Sequence, residues 1–243
     1  MSLRPATLLL LCVAACGATG EPAFQAPLRA RGAASEVTVG AWTVTLERAD
    51  VGLGPLYLCA TAAASSELCA TAAAEFAAVA AVDLTDPEPQ PLGELDALPG
   101  QVRSAMLDYG VTWLKTQAKP GAQEGAPGGR AARFAGLAVS GDMSFEFTAD
   151  LDVVPVLRGS RTVEGLRIGP FDLDPGGALD VTIDAAAWWA GVDFDALAAL
   201  GPGPHDLAAL AADDPASPAA DALAAVRFAM IAVPPRFAWT AEE

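Results

Sequence analysis

The sequence predicts a mainly β protein, an antiparallel two-sheet sandwich finished by one or two short C-terminal helices. Three observations carry that prediction. Apolar and polar residues alternate from position 42, with Trp42, Val44 and Leu46 on one face and Thr43, Thr45 and Glu47 on the other, the period of a half-buried strand. Seven or eight such short segments follow one another, separated by turn-forming residues, as in sandwiches. Only from Asp184 onward do side chains that favour helix N-caps precede alanine-rich runs.

The chain begins differently. One positive charge in MSLRPAT is followed by an apolar stretch over residues 8–15, the layout of a secretion signal. The stretch is far shorter than the roughly 20 residues that cross a bilayer as a permanent helix. Val13, Ala14, Ala15 and Cys16 resemble the lipobox of bacterial lipoproteins. That resemblance implies cleavage after residue 15, acylation of Cys16 and an exported chain held on the membrane by lipid. Several acyl chains on one residue make such a hold firm where one alone is weak. Ala18, after Gly17, is not an inner-membrane retention aspartate, which points to the outer membrane. Residues 16–35 are rich in Ala, Gly and Pro and read as a flexible, lipid-anchored tether. Residues 36–243 read as a single sandwich domain with a helical C-terminal part.

Within that domain the elements run in order. The first strand begins in the alternating stretch that opens at Glu36, and a second runs from 49 to 58. Residues 60–82 are alanine-rich; their propensity favours helix, but their place between β segments favours a strand near 77–84. DPEPQP is a loop, and a turn at Pro99 and Gly100 leads into a strand pattern carrying Tyr109 and Trp113. Residues 119–130 have the composition of a mobile loop. ARFAGLAVSG and MSFEFTADLDVVPVL form an antiparallel pair, with Phe145 and Phe147 against Glu146 and Thr148. RTVEGLRIG and ALDVTID follow, joined by PFDLDPGG. In the tail, Asp184 and Asp193 cap short helices, Ser217 and Pro218 start another, and Leu223, Val226 and Met230 recur at helical spacing until Pro234. RFAWT is the last extended piece.

A formal net charge of −16, with no basic cluster along the chain, disfavours nucleic acid, whose binding relies on Lys and Arg displacing counterions. The surface is acidic and well solvated. Cys59 and Cys69 suit an exported disulfide closing a short loop. As zinc ligands they lack the usual second pair.

Familiar catalytic signatures are absent: GxSxG, HExxH, CxxC and a phosphate-cradling glycine loop. The single histidine, His205, lies in GPGPHDLAAL and reads as a surface-loop residue. Asp172, Asp174, Asp180, Asp184, Asp193 and Asp195 read first as turn and cap residues. Asp172, Asp174 and Asp180 are also a calcium candidate, without the EF-hand spacing. Any two of the six at 5 to 10 Å suit glycoside hydrolysis. Trp188 and Trp189 point about 100° apart on a helix, so one fills the sandwich mouth and the other is partly exposed. Both read first as core or rim packing; the alternative is a platform for sugar or peptide, which makes them, with Asp193, the candidate ligand-binding residues. No metal-ligand set and no cofactor is assigned.

GAWTVTLERADVGLGPLYL, PGQVRSAMLDYGVTW and DVTIDAAAWWAGVDFDAL resemble, across residues 36–200, the ordered landmarks of exported β-sandwich lipoproteins similar in layout to the MbnP-like family of copper-associated periplasmic proteins. That resemblance implies a periplasmic sandwich. The family's copper sites use histidines and sometimes an oxidised tryptophan. The matching strands here hold no histidine, so no ligand carries over, and Trp42, Trp113 and Trp188 are the positions to inspect. The expected function is a membrane-tethered, non-enzymatic module for a small ligand, metal or envelope protein. The alternative is a cell-envelope hydrolase using paired aspartates around 172–195.

Overall fold

The computed structural model describes residues 22–65, 69 and 72–241. The signal segment and Cys16 lie outside the described residues. The chain first forms β1 (Phe24–Gly32), β2 (Glu36–Val39), β3 (Trp42–Leu53) and β4 (Leu56–Cys59). Next come β5 (Ala74–Phe76), β6 (Ala80–Asp83), β7 (Gln90–Ala97), β8 (Gly100–Leu107), β9 (Val111–Thr112) and β10 (Gly121–Ala122). Then follow β11 (Ala132–Ser140), β12 (Met143–Leu151), β13 (Val163–Leu173) and β14 (Gly177–Ile183). The C-terminal part holds α1 (Phe194–Ala198), β15 (Pro204–Asp206), α2 (Leu207–Asp213), α3 (Pro218–Ala232) and β16 (Arg236–Ala241).

Two sheets make the sandwich. The larger has the order β13-β8-β4-β5-β7-β1-β14-β16, and the smaller β15-β12-β11-β3-β2, with β6 also pairing β3. The larger sheet curls until its edge strands β13 and β16 approach each other. Most pairings are antiparallel; β1 with β14 and β12 with β15 are parallel.

The alternation seen in the sequence becomes burial. Trp42, Val44 and Leu46 on β3 and Phe145, Phe147, Ala149 and Leu151 on β12 all face the core. From the other sheet Leu28, Leu95, Leu179 and Val181 meet them in one continuous cluster. Gly136 on β11 is required by this packing, since an added Cβ would lie 2.8 Å from the Phe147 ring and 2.7 Å from the Thr45 carbonyl. At the corner between β3 and β4, Gly54 has φ of 114°, a backbone conformation that only glycine adopts without strain.

Three expectations change. The strands expected from 36 and over 49–58 divide elsewhere, because a turn at Gly40 and Ala41 separates β2 from β3 and β3 then runs unbroken to Leu53. Residues 24–32, placed in the tether, are an interior strand between β7 and β14. Pro27 is tolerated there because pairing with β14 starts one residue later, at Leu28, so its missing N–H costs no bond on that side. The alanine-rich stretch does form strands, β5 and β6, but shorter than the span 77–84. In the tail the helix signals hold: Ser217 Oγ accepts from the Ala220 N–H at 3.3 Å, and Ala219, Ala222, Leu223, Val226 and Met230 are the buried stripe of α3.

Candidate functional site

The feature of the surface with the most chemistry is a cleft of about 300 Å³ beside the disulfide, lined among others by Tyr57, Glu75, Met106, Leu114, Lys115 and Arg161. Strand alternation builds its floor. On β4, Leu56 and Leu58 are buried in the core, so Tyr57 between them turns to the opposite face, directly across from Met106 on β8. Cys59 and Cys69 are bonded, with Cα atoms 5.7 Å apart. Together with Ala64 and Met106 they form a small apolar cluster separate from the main core, which braces one wall.

Arg161 is the centre of the cleft. Its guanidinium lies 4.8 Å over the Tyr57 ring, donates from Nη2 to the Tyr57 hydroxyl at 3.1 Å and from Nη1 to Asp108 Oδ2 at 3.1 Å. Asp108 is completely buried, and its other oxygen accepts the Thr162 N–H at 2.7 Å. Burial pushes the Asp108 carboxyl above its usual range, against the pull of Thr162 and Arg161. Lys115 crosses the rim with its stem against Gly159, where an added Cβ would stand 2.7 Å from Lys115 Cγ. A guanidinium stacked on an aromatic ring, with an ammonium nearby, is an arrangement for holding a planar or anionic group over an apolar floor.

The predicted site residues do not gather here. Trp188 and Trp189 are both fully buried, as the core-packing reading has it; the partial exposure expected of one, and with it the platform alternative, is corrected. A short 3-10 turn, Ala186–Trp189, drives both rings inward between the sheets and α3. Trp188 stacks edge-on to Tyr109 and Phe134, Trp189 packs on Phe147 with ring centres 4.6 Å apart, and Trp188 Nε1 donates to the Val233 carbonyl at 3.0 Å. Asp193 is the cap of α1, accepting the Ala196 N–H at 3.0 Å. His205, expected on a surface loop, is buried in β15 against Phe145.

Four of the six aspartates are likewise spoken for. Asp184 accepts from the Ala187 N–H, and Asp195 from Trp42 Nε1 at 2.8 Å. Asp180 holds Arg29 at 2.9 Å and the Thr240 hydroxyl at 2.7 Å. Burial alone would raise Asp180, but these hydrogen bonds and the Arg29 charge outweigh it and hold the carboxyl below its usual range. Asp172 and Asp174 are exposed. Among the described residues no three His, Cys, Asp or Glu side chains stand where they could share a metal ion, so Asp172, Asp174 and Asp180 do not gather as a set of side-chain ligands. Trp42 and Trp188 spend their ring N–H groups on protein oxygens, and Trp113 Nε1 is buried with no hydrogen-bond partner among the described residues.

Asp108, Arg161 and Tyr57 carry no motif in the sequence. They lie 53 and 104 residues apart and meet only through the pairing of β4 with β8 and β8 with β13. The one local signal is Asp108 itself, a carboxylate within the apolar run AMLDYGV, where an ionisable group demands a partner. Comparison with family models, with curated proteins and with solved structures finds no match to the chain.

Proposed function

We propose that the chain is an extracytoplasmic lipoprotein, acylated at Cys16 and held at the outer membrane, whose sandwich is a non-enzymatic binding module. The observation that carries the reading is the Cys59–Cys69 bond in a chain that opens with a signal-like segment ending at a lipobox-like cysteine. Disulfides persist in oxidising compartments. The candidate ligand surface is the cleft under Arg161, whose mix of ring, thioether and cation suits a small ligand with an anionic or polar planar group.

Asp184 and Asp193 are taken up in helix-start hydrogen bonds, Asp180 in an ion pair and Asp195 by the Trp42 indole, while Asp172 and Asp174 are exposed; this argues against the hydrolase reading, which needs two carboxyls converging on one cleft. Envelope fractionation tests the proposal. The parent is expected in the membrane fraction and labelled by exogenous palmitate, and a Cys16→Ser variant unlabelled and released. Equal membrane retention and equal labelling of the two would overturn it.

A further inference from the structure

Two hydrogen-bonded turns lie side by side at the rim of the cleft. In the first, the Leu114 N–H donates to Gln117 Oε1 at 2.8 Å, and the Gln117 N–H returns to the Leu114 carbonyl at 2.9 Å. In the second, Ser160 closes on Leu157 through its N–H at 3.1 Å and its hydroxyl at 2.7 Å. The turns are tied together by the Gly159 N–H on the Trp113 carbonyl at 2.6 Å. Arg158 adds a second tie, lying 5.8 Å over the Trp113 ring and reaching the Ala118 carbonyl at 3.4 Å.

What these turns present is unusual for this chain. Val156 is 84% exposed, Leu157 68%, Val154 45% and Leu114 39%, an apolar tip where a loop is ordinarily polar. Around it stand exposed Lys115, Lys119 and Arg158. Those two lysines are the only ones in a sequence of net charge −16. Arg161, just beneath, is balanced by buried Asp108, and Glu164 turns its carboxylate to the Arg161 N–H at 3.0 Å. Glu75 lines the cleft on the same side as these cations.

We propose that this tip is a membrane-docking surface, with Leu114, Val156 and Leu157 entering the headgroup boundary of an anionic bilayer and Lys115, Lys119 and Arg158 meeting its phosphates. Exposed aliphatic side chains ringed by Lys and Arg match such an interface on both counts. The long basic side chains extend to the phosphate level while their stems lie along apolar surface. Because both turns are already closed by hydrogen bonds, docking orders little chain and loses little entropy. The inference rests on the proposed envelope location for a membrane to be within reach, but not on acylation. If Cys16 is acylated, the seven residues 17–23 span at most about 25 Å, which keeps the domain close to its membrane.

The test is vesicle sedimentation of residues 17–243, exported behind a signal that ends without a cysteine. Every core residue among the described ones lies at Ala26 or later, so this chain keeps the whole core. Phosphatidylcholine vesicles are compared with and without phosphatidylglycerol. Binding is expected on the anionic vesicles and to weaken as salt rises. Val156→Asp with Leu157→Asp should lower the partition more than tenfold, and Lys119→Glu about fivefold or more, with unchanged melting temperatures. Failure of the parent to sediment with anionic vesicles overturns the proposal, as does equal binding by the double variant. Self-association through the tip without vesicle binding, read by light scattering, also overturns it. Because this chain carries no lipid, its result is independent of whether Cys16 is acylated.

Discussion

The Arg161 guanidinium donates to Asp108 at 3.1 Å while Asp108 is wholly closed to solvent, so one buried charge at the end of β8 fixes the loop that leads into β13. The same guanidinium roofs the cleft over Tyr57. Loop order, cleft shape and local charge therefore depend on one pair.

Removing one partner of a buried pair leaves the other uncompensated, a loss of about 3–5 kcal/mol. Asp108→Ala is expected to destabilise by that amount in urea denaturation. Replacing both residues by apolar ones of similar volume should cost much less than the sum of the single changes. Additive single and double losses would show that the two do not act as a unit.

The Cys59–Cys69 bond closes a loop of sequence separation 10. On chain-entropy grounds, removing it by Cys59→Ala with Cys69→Ala should cost about 3 kcal/mol. Because the bond braces the cleft wall rather than the main core, the far-ultraviolet spectrum should be unchanged. Loss of the strand signal at room temperature would contradict that division.

Trp188 and Trp189 are core residues, so either change to Ala should cost about 3–5 kcal/mol. Trp188→Phe keeps most of the ring but removes the donor to the Val233 carbonyl, leaving a loss nearer 1 kcal/mol plus a small void. Thermal denaturation of the three variants ranks them. Sugar or peptide binding abolished by Trp188→Phe without loss of stability would restore the platform reading.

Acid acts on two aspartates in opposite senses. Asp180 titrates below its unfolded value of about 3.9, so its contribution is complete above that pH and is lost as pH falls through its lower folded value. Asp108 titrates above its unfolded value; the folded state takes up that proton first, and stability gains as pH falls through the folded value toward about 3.9. Asp180→Asn should lower stability at neutral pH by about 1 kcal/mol, discounted for its partial exposure, and should flatten the acid limb below pH 4. An unchanged acid limb would show that the Arg29 pair contributes nothing.

Strands were legible where large apolar side chains alternate with polar ones. Trp42-Val44-Leu46 and Phe145-Phe147 announced β3 and β12, and Asp193, Ser217 and Pro218 announced helix starts. The strands that escaped, β1 and β7, carry Pro27, Pro91 and Gly93. The alanines of β1, Ala26 and Ala30, give little contrast between its faces, β7 buries only Leu95 and Ala97, and prolines read as tether or loop. His205 was misplaced because glycine and proline flank it, while the parallel pairing of β15 with β12 that buries it is a long-range contact. The basic tip escaped for the same reason: the segment with Lys115 and Lys119 and the turn with Arg158 are far apart in sequence and are joined through Gly159 on the Trp113 carbonyl and Arg158 on the Ala118 carbonyl.

The most direct measurement is the intact mass of the protein purified from bacterial membranes. A chain beginning at Cys16, heavier than its residues by a diacylglyceryl group and a further acyl chain, is the expected result. A mature chain that starts elsewhere, or starts at an unmodified Cys16, would contradict the membrane-tethered reading.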